Sequence, residues 1–234
     1  MYIDVTYLVM ILPAVIFSLW ASWNVKHSYK KYQKQFNARG ITGGEAARRV
    51  LDANGLRDVP VECVSGTLTD HYDPKARAVR LSEGVWGSSS TAAVGVACHE
   101  VGHAIQYAEN YLPGMIRQAI VPATNLGAKL SIPLLLLGLV LASWSPKLIL
   151  LAYAGVALYG LVALFQIVTL PTEFDASRRA LRSIEGMGLL EGEELTGAKK
   201  VLTAAALTYV AALATTLLEL LRLVMIVSGG SRRR

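Results

Sequence analysis

Two histidines, His99 and His103, stand four residues apart in the segment Ala97-Cys98-His99-Glu100-Val101-Gly102-His103-Ala104-Ile105-Gln106. On an α-helix, positions i and i+4 lie one above the other, so both imidazoles project from one face. Two imidazole nitrogens at about 2.0–2.1 Å can share one Zn²⁺. Glu100 follows His99 directly, about 100° further round the helix. That offset suits it poorly as a ligand beside both histidines, but well as a base for a water at the metal. The plainer alternative is two histidines and a glutamate on an ordinary helix face. Against it, the chain has only four histidines, and two of them fall in this spacing.

A catalytic zinc takes three protein ligands and keeps the fourth position open. No histidine follows His103, so the third donor is sought among later acids. Glu109 is too close along the same helix to fold back. Glu173 is the leading candidate, in Pro171-Thr172-Glu173-Phe174-Asp175-Ala176-Ser177-Arg178-Arg179-Ala180, with Asp175 and Glu185 behind it. It is expected at the head of a short helix, where the chain leaves an apolar stretch.

These residues need elements to position them. Ser88, Ser89 and Ser90 offer N-caps for a helix over about Thr91 to Glu109, which Pro113 and Gly114 should break. Upstream, Thr42-Gly-Gly-Glu45 has the spacing of a capping box, opening a short amphipathic helix that Gly55 can end. Val59 to Val64 and Ala76 to Leu81 are β-rich runs separated by Gly66 and Asp73-Pro74, consistent with a small β-hairpin or sheet edge. Tyr7 to Trp23 is an uncharged apolar run long enough to span a bilayer, and Lys26, Lys30, Lys31 and Lys34 follow it. That charge order predicts an uncleaved anchor with the next segment in the cytoplasm. Leu130 to Trp144 and Leu148 to Leu170 flank the tight turn Ser145-Pro146-Lys147. The second of these carries no charge and is the clearest span. A last apolar stretch, Val201 to Val227, holds Glu219 and Arg222 three apart, able to pair on one face.

The expected architecture is therefore a mainly α, multi-pass membrane protein. It divides into an anchor over 1–23, a cytoplasmic catalytic part over 24–115 and a transmembrane hairpin over 116–170. A cytoplasmic third-ligand helix over 171–200 follows, then a C-terminal membrane helix and basic tail over 201–234. The hairpin makes an even number of crossings, so His99 and Glu173 should share one side of the membrane.

Composition agrees. Apolar residues form 53% of the chain and charged ones 17%, against about 25% charged in a soluble domain. The net charge of +6 gathers beside apolar segments, which points to the bilayer as partner rather than nucleic acid. Two cysteines, Cys63 and Cys98, do not make a disulfide framework and read best as unpaired thiols.

HEVGHAIQ, followed at a distance by EFDASRRAL, resembles the bacterial neutral zinc metallopeptidases of the YugP-like, gluzincin type. More distantly it is similar to the heat-shock and CAAX-processing membrane peptidases. The upstream LTDHYDPKARAVRLSEGVW resembles the sheet edge that precedes the active-site helix in that family. The resemblance implies zinc ligands His99, His103 and Glu173, with Glu100 catalytic. Where the distant relatives place an aspartate four residues after the ligand glutamate, this chain has Ser177. Asp175, two residues after it, is then the candidate to orient a ligand histidine.

The chemistry implied is hydrolysis of a peptide or protein substrate associated with the membrane. Glu100 would serve as general base, and zinc would acidify the attacking water. An extended substrate is expected to add as a strand near Arg77 to Ser82. His71, Tyr72, Arg178 and Tyr209 are the candidates to stabilise the oxyanion. A non-enzymatic scaffold or chaperone with a structural zinc is the alternative, and a metal transporter is a third reading. The presence of Glu100 argues against the former, and the charge-free stretch Leu148 to Leu170 against the latter.

Overall fold

The computed structural model describes the backbone of residues 5–232 and the side chains of residues 11–229. In chain order its elements are α1 (Val5–Tyr32), α2 (Gly43–Ala53), β1 (Val61–Val64), β2 (His71–Asp73), β3 (Ala78–Ser82), α3 (Glu83–Trp86), α4 (Thr91–Ala108), α5 (Leu112–Leu141), α6 (Ile149–Gly186) and α7 (Gly192–Arg232). The molecule is mainly α with one small sheet. Among the described residues, three helical segments are long and apolar enough to cross a membrane: Leu112–Leu141, Pro146–Gly186 and Gly192–Gly229. The anchor expected over 1–23 and the end of the basic tail fall partly outside the described residues. Within them, α1 is one helix that keeps Pro13 inside it.

The chain forms two compact units. One comprises Ala21–Met115 and Pro171–Thr208; the other comprises the N-terminal segment to Trp20, Ile116–Leu170 and Tyr209 onward. In the first unit, α4 forms the centre of the core. Its Val94, Ala97, Cys98, Val101, Ala104 and Ile105 pack with Val50 and Leu51 of α2, Val79 and Leu81 of β3, Ile184 of α6 and Leu202 of α7. Ser90 starts α4 by accepting a bond from the Ala93 amide at 3.2 Å, relieving one orphan donor of the first turn. The capping box forms as the spacing requires. Thr42 Oγ1 accepts from the Glu45 amide at 3.2 Å, and Glu45 Oε2 accepts from the Thr42 amide at 3.0 Å.

Three local expectations are corrected. Pro113 does not break α4. That helix ends at Ala108 and the chain turns through Asn110, which has φ +53°; Pro113 then sits in the first turn of α5. An N–H is missing there without loss, because first-turn amides have no helical acceptor. The sheet has the order β1-β3-β2, with β1 parallel to β3 and β2 antiparallel to it. Residues Arg77 to Ser82 therefore lie mostly in the central strand, which has neighbours on both sides and no free edge for a substrate. Finally, Glu173 does not open a short helix. It lies within α6, which runs unbroken through Pro171.

In the other unit, α5 and α6 form a close antiparallel hairpin around the turn at Pro146–Leu148. A Cβ added at Gly138 would fall 2.8 Å from Ala152 Cα, so the approach requires glycine. Leu135, Ala152, Leu223 and Val227 fill a small buried cluster. Large apolar side chains such as Leu136, Val140, Leu150, Ile167, Leu221 and Met225 point outward. An outward apolar surface of this kind belongs against lipid chains.

Candidate metal centre

His99 and His103 occupy successive turns of α4, and Glu173 reaches them from α6. The three ligand-type atoms lie within 4.8 Å of one another. Glu173 Oε2 stands 3.3 Å from His99 Nε2 and 3.6 Å from His103 Nε2. Donors about 2.0–2.1 Å from a tetrahedral zinc stand about 3.3–3.4 Å apart, the edge of that tetrahedron. A charge-assisted N–H···O⁻ bond would instead close to about 2.7–2.9 Å. The spacing and the donor set, two imidazoles and one carboxylate, both suit a shared Zn²⁺.

The approach of α4 to α6 is set by Gly102, between the two histidines. A Cβ there would come within 2.5 Å of the Ala176 carbonyl oxygen. Any side chain at this position would push the helix bearing Glu173 away from the one bearing the imidazoles. Glu100 leaves α4 toward the sheet, where its Oε2 accepts from the Tyr72 backbone amide at 3.0 Å. The edge strand β2 thus fixes the carboxylate beside the ligand cluster.

Electrostatics follow the geometry. Burial alone would raise the Glu173 carboxyl, but the neighbouring His103 and His99 outweigh it and hold it well below the usual carboxylate range. Burial likewise disfavours the charged form of His103, yet the neighbouring Glu173 and Glu100 carboxylates leave its pKa raised. Cys98, adjacent to His99 but buried in the core, has its thiol pushed up to about 12 by burial and offers no ligand.

Both histidines have a partner at the opposite ring nitrogen. Ser177 Oγ lies 3.1 Å from His99 Nδ1, and Gln106 Oε1 lies 3.1 Å from His103 Nδ1. The expectation that Asp175 orients a histidine is corrected. Its Oδ2 accepts from Gln106 Nε2 at 2.9 Å and from Arg179 Nε at 2.6 Å, so it touches the amide rather than a ring.

The family model described as "Putative neutral zinc metallopeptidase" matches residues 7–228. The chain belongs to the neutral zinc metallopeptidase family. It is 46% identical over 224 residues to "Putative membrane protease YugP" of Bacillus subtilis (strain 168), covering 96% of this chain and 97% of that protein. No solved structure matches it.

The remaining sequence candidates sort by position. Glu185 is exposed and lies twelve residues beyond Glu173 on α6, about 18 Å along the axis, far from the cluster. Glu109 is engaged by Arg179 Nη1 at 2.6 Å. His71 is exposed, with Nδ1 2.7 Å from the Thr69 carbonyl, and alternates to the sheet face opposite Tyr72. Tyr72 packs its ring 5.9 Å from that of Tyr107, and its phenol engages Arg77. Arg178 is exposed on α6, and Tyr209 belongs to the other unit. Sequence reasoning passed over Gln106, and it noted Ser177 only as standing where the distant relatives place an aspartate, without giving it a partner.

Proposed function

We propose that this chain is a membrane-bound, multi-pass zinc endopeptidase whose active site faces the cytoplasm and whose substrates are membrane-associated peptides or proteins. The observation that carries the reading is the convergence of His99, His103 and Glu173 within 4.8 Å, with Glu100 next to His99 on the same helix. His99 Nε2, His103 Nε2 and Glu173 Oε2 would hold the metal. Bound there, Zn²⁺ supplies Lewis acidity toward the scissile carbonyl and the attacking water.

The chain's own residues do the rest. Glu100 takes the proton of the attacking water on its carboxylate, while the Tyr72 amide holds Oε2 in place. The water oxygen bonds to the carbonyl carbon, the C–N bond breaks, and Glu100 returns the proton to the leaving amine. Opposed to the scaffold reading is the retention of Glu100, which a structural metal clip does not need.

The test uses the full chain purified in detergent, with zinc content and casein cleavage measured together. Glu100→Gln should keep its zinc and lose turnover, by about 10²-fold or more. His103→Ala should lose both. Equal cleavage by wild type and Glu100→Gln would overturn the assignment.

A further inference from the structure

A metal held at Nε2 leaves the proton of each imidazole on Nδ1, and a largely buried N–H at that position needs an acceptor. Two are present, and they differ in kind. His99 faces a hydroxyl, Ser177 Oγ, and His103 faces a side-chain amide, Gln106 Oε1, each at 3.1 Å. We propose that Ser177 and Gln106 are the positioning residues of the metal site, each uncharged, holding one ligand histidine as the Nδ1–H tautomer with Nε2 turned to Glu173. This rests on the reading of His99, His103 and Glu173 as zinc ligands.

For His103, hydrogen-bond bookkeeping decides the tautomer. Gln106 is 3% exposed, and its amide end meets the Thr172 carbonyl at 2.8 Å and Asp175 Oδ2 at 2.9 Å. A carbonyl and an ionised carboxylate only accept, so the Gln106 nitrogen must face them and its oxygen must face the ring. An oxygen at Nδ1 requires a proton there, which leaves the Nε2 lone pair for a metal. Asp175 is itself fixed by Arg179, whose other arm meets Glu109 at 2.6 Å. The chain of bonds therefore runs from α4 to α6 and back to the end of α4.

For His99 the support is shorter. Ser177 follows Glu173 by four residues, one turn of α6, so a ligand and an orienting hydroxyl leave the same helix face together. Rotation of α6 would withdraw both at once. The hydroxyl accepts from Nδ1–H when the metal occupies Nε2.

The inference is tested on the full chain in detergent. Zinc affinity is measured by competition with a chromogenic chelator, beside the visible spectrum of the Co²⁺-substituted protein. Ser177→Ala should bind zinc about 10- to 100-fold more weakly and shift the cobalt bands. Ser177→Thr, which restores the hydroxyl, should return both to wild type. Gln106→Met, which keeps the volume but removes both amide ends, should weaken zinc by a similar factor. Wild-type affinity and spectrum in Ser177→Ala would overturn the inference while leaving the peptidase reading intact. Equal weakening in the Ala and Thr variants would also overturn it, since packing rather than the hydroxyl would then matter. A wild-type chain that takes up no zinc would overturn both.

Discussion

Among the described residues, Glu173 is the one charged side chain in the fully buried set, at 2% exposure. Burying a carboxylate is costly unless charge compensates it, and imidazoles that give their Nε2 lone pairs to a metal are neutral, so in the loaded site they can no longer do so. A divalent cation supplies that compensation, so metal binding should stabilise the folded chain by linkage. At a free zinc concentration of 100 times Kd the gain is about 2.7 kcal/mol. For a chain of this size that corresponds to a rise in Tm of about 5–10 °C. Chelation should therefore lower the wild-type Tm by this amount, measured in detergent. Glu173→Gln should bind zinc more than about 100-fold more weakly, since even outer partners of a ligand are worth about 10- to 100-fold. Its chelator-dependent shift should nearly vanish; a full shift in the variant would move the third ligand elsewhere. The three candidate ligands stood out in the sequence because imidazole and carboxylate are metal donors wherever they occur. The contact of Ser177 with His99 was not legible there, because a serine finds its partner only in the fold, here a histidine 78 positions earlier.

The elements were legible where the signal is local. Ser90 and the Thr42–Glu45 box mark helix starts through bonds spanning three residues, and both formed as the spacing requires. β2 was missed because three residues, His71-Tyr72-Asp73, hold too short a pattern to alternate, and only pairing with β3 makes them a strand. The parallel β1–β3 pairing is a crossover that no turn signal announces. The continuity of α6 was hidden by Pro171, which lacks an N–H yet costs only one helical bond when the flanking turns are packed. At this scale the decisive contact is Gly102 against Ala176. In an exposed helix Gly→Ala gains up to about 1 kcal/mol, whereas overpacking of a tight interface costs about 1–3 kcal/mol. With a Cβ at 2.5 Å from a backbone oxygen, overpacking should win. Gly102→Ala is expected to lower Tm and to reduce zinc affinity even though it alters no ligand. A variant with higher Tm and undiminished zinc would show that the two helices need not approach so closely.

On the scale of the whole molecule, apolar faces divide by environment. In the unit of Ala21–Met115 and Pro171–Thr208 they converge on α4, while in the other unit much of the apolar surface turns outward. The sequence carried this division plainly, because a run of about 20 uncharged residues has few stable places other than a bilayer. The cytoplasmic side proposed for the metal site rests on charge alone, through Lys26, Lys30, Lys31 and Lys34 after the first apolar run. The native cysteines make that placement testable without engineering. Cys63 is exposed on β1, in the same unit as the metal site, whereas Cys98 is fully buried and its thiol is pushed up to about 12. Only the thiolate reacts readily, so a membrane-impermeant maleimide should report Cys63 and leave Cys98 silent. With the active site in the cytoplasm, labelling should occur in inside-out membrane vesicles and be absent from right-side-out ones, and Cys63→Ser should abolish it. The opposite pattern would place the HExxH helix outside the cell and reverse the membrane orientation inferred from the lysines.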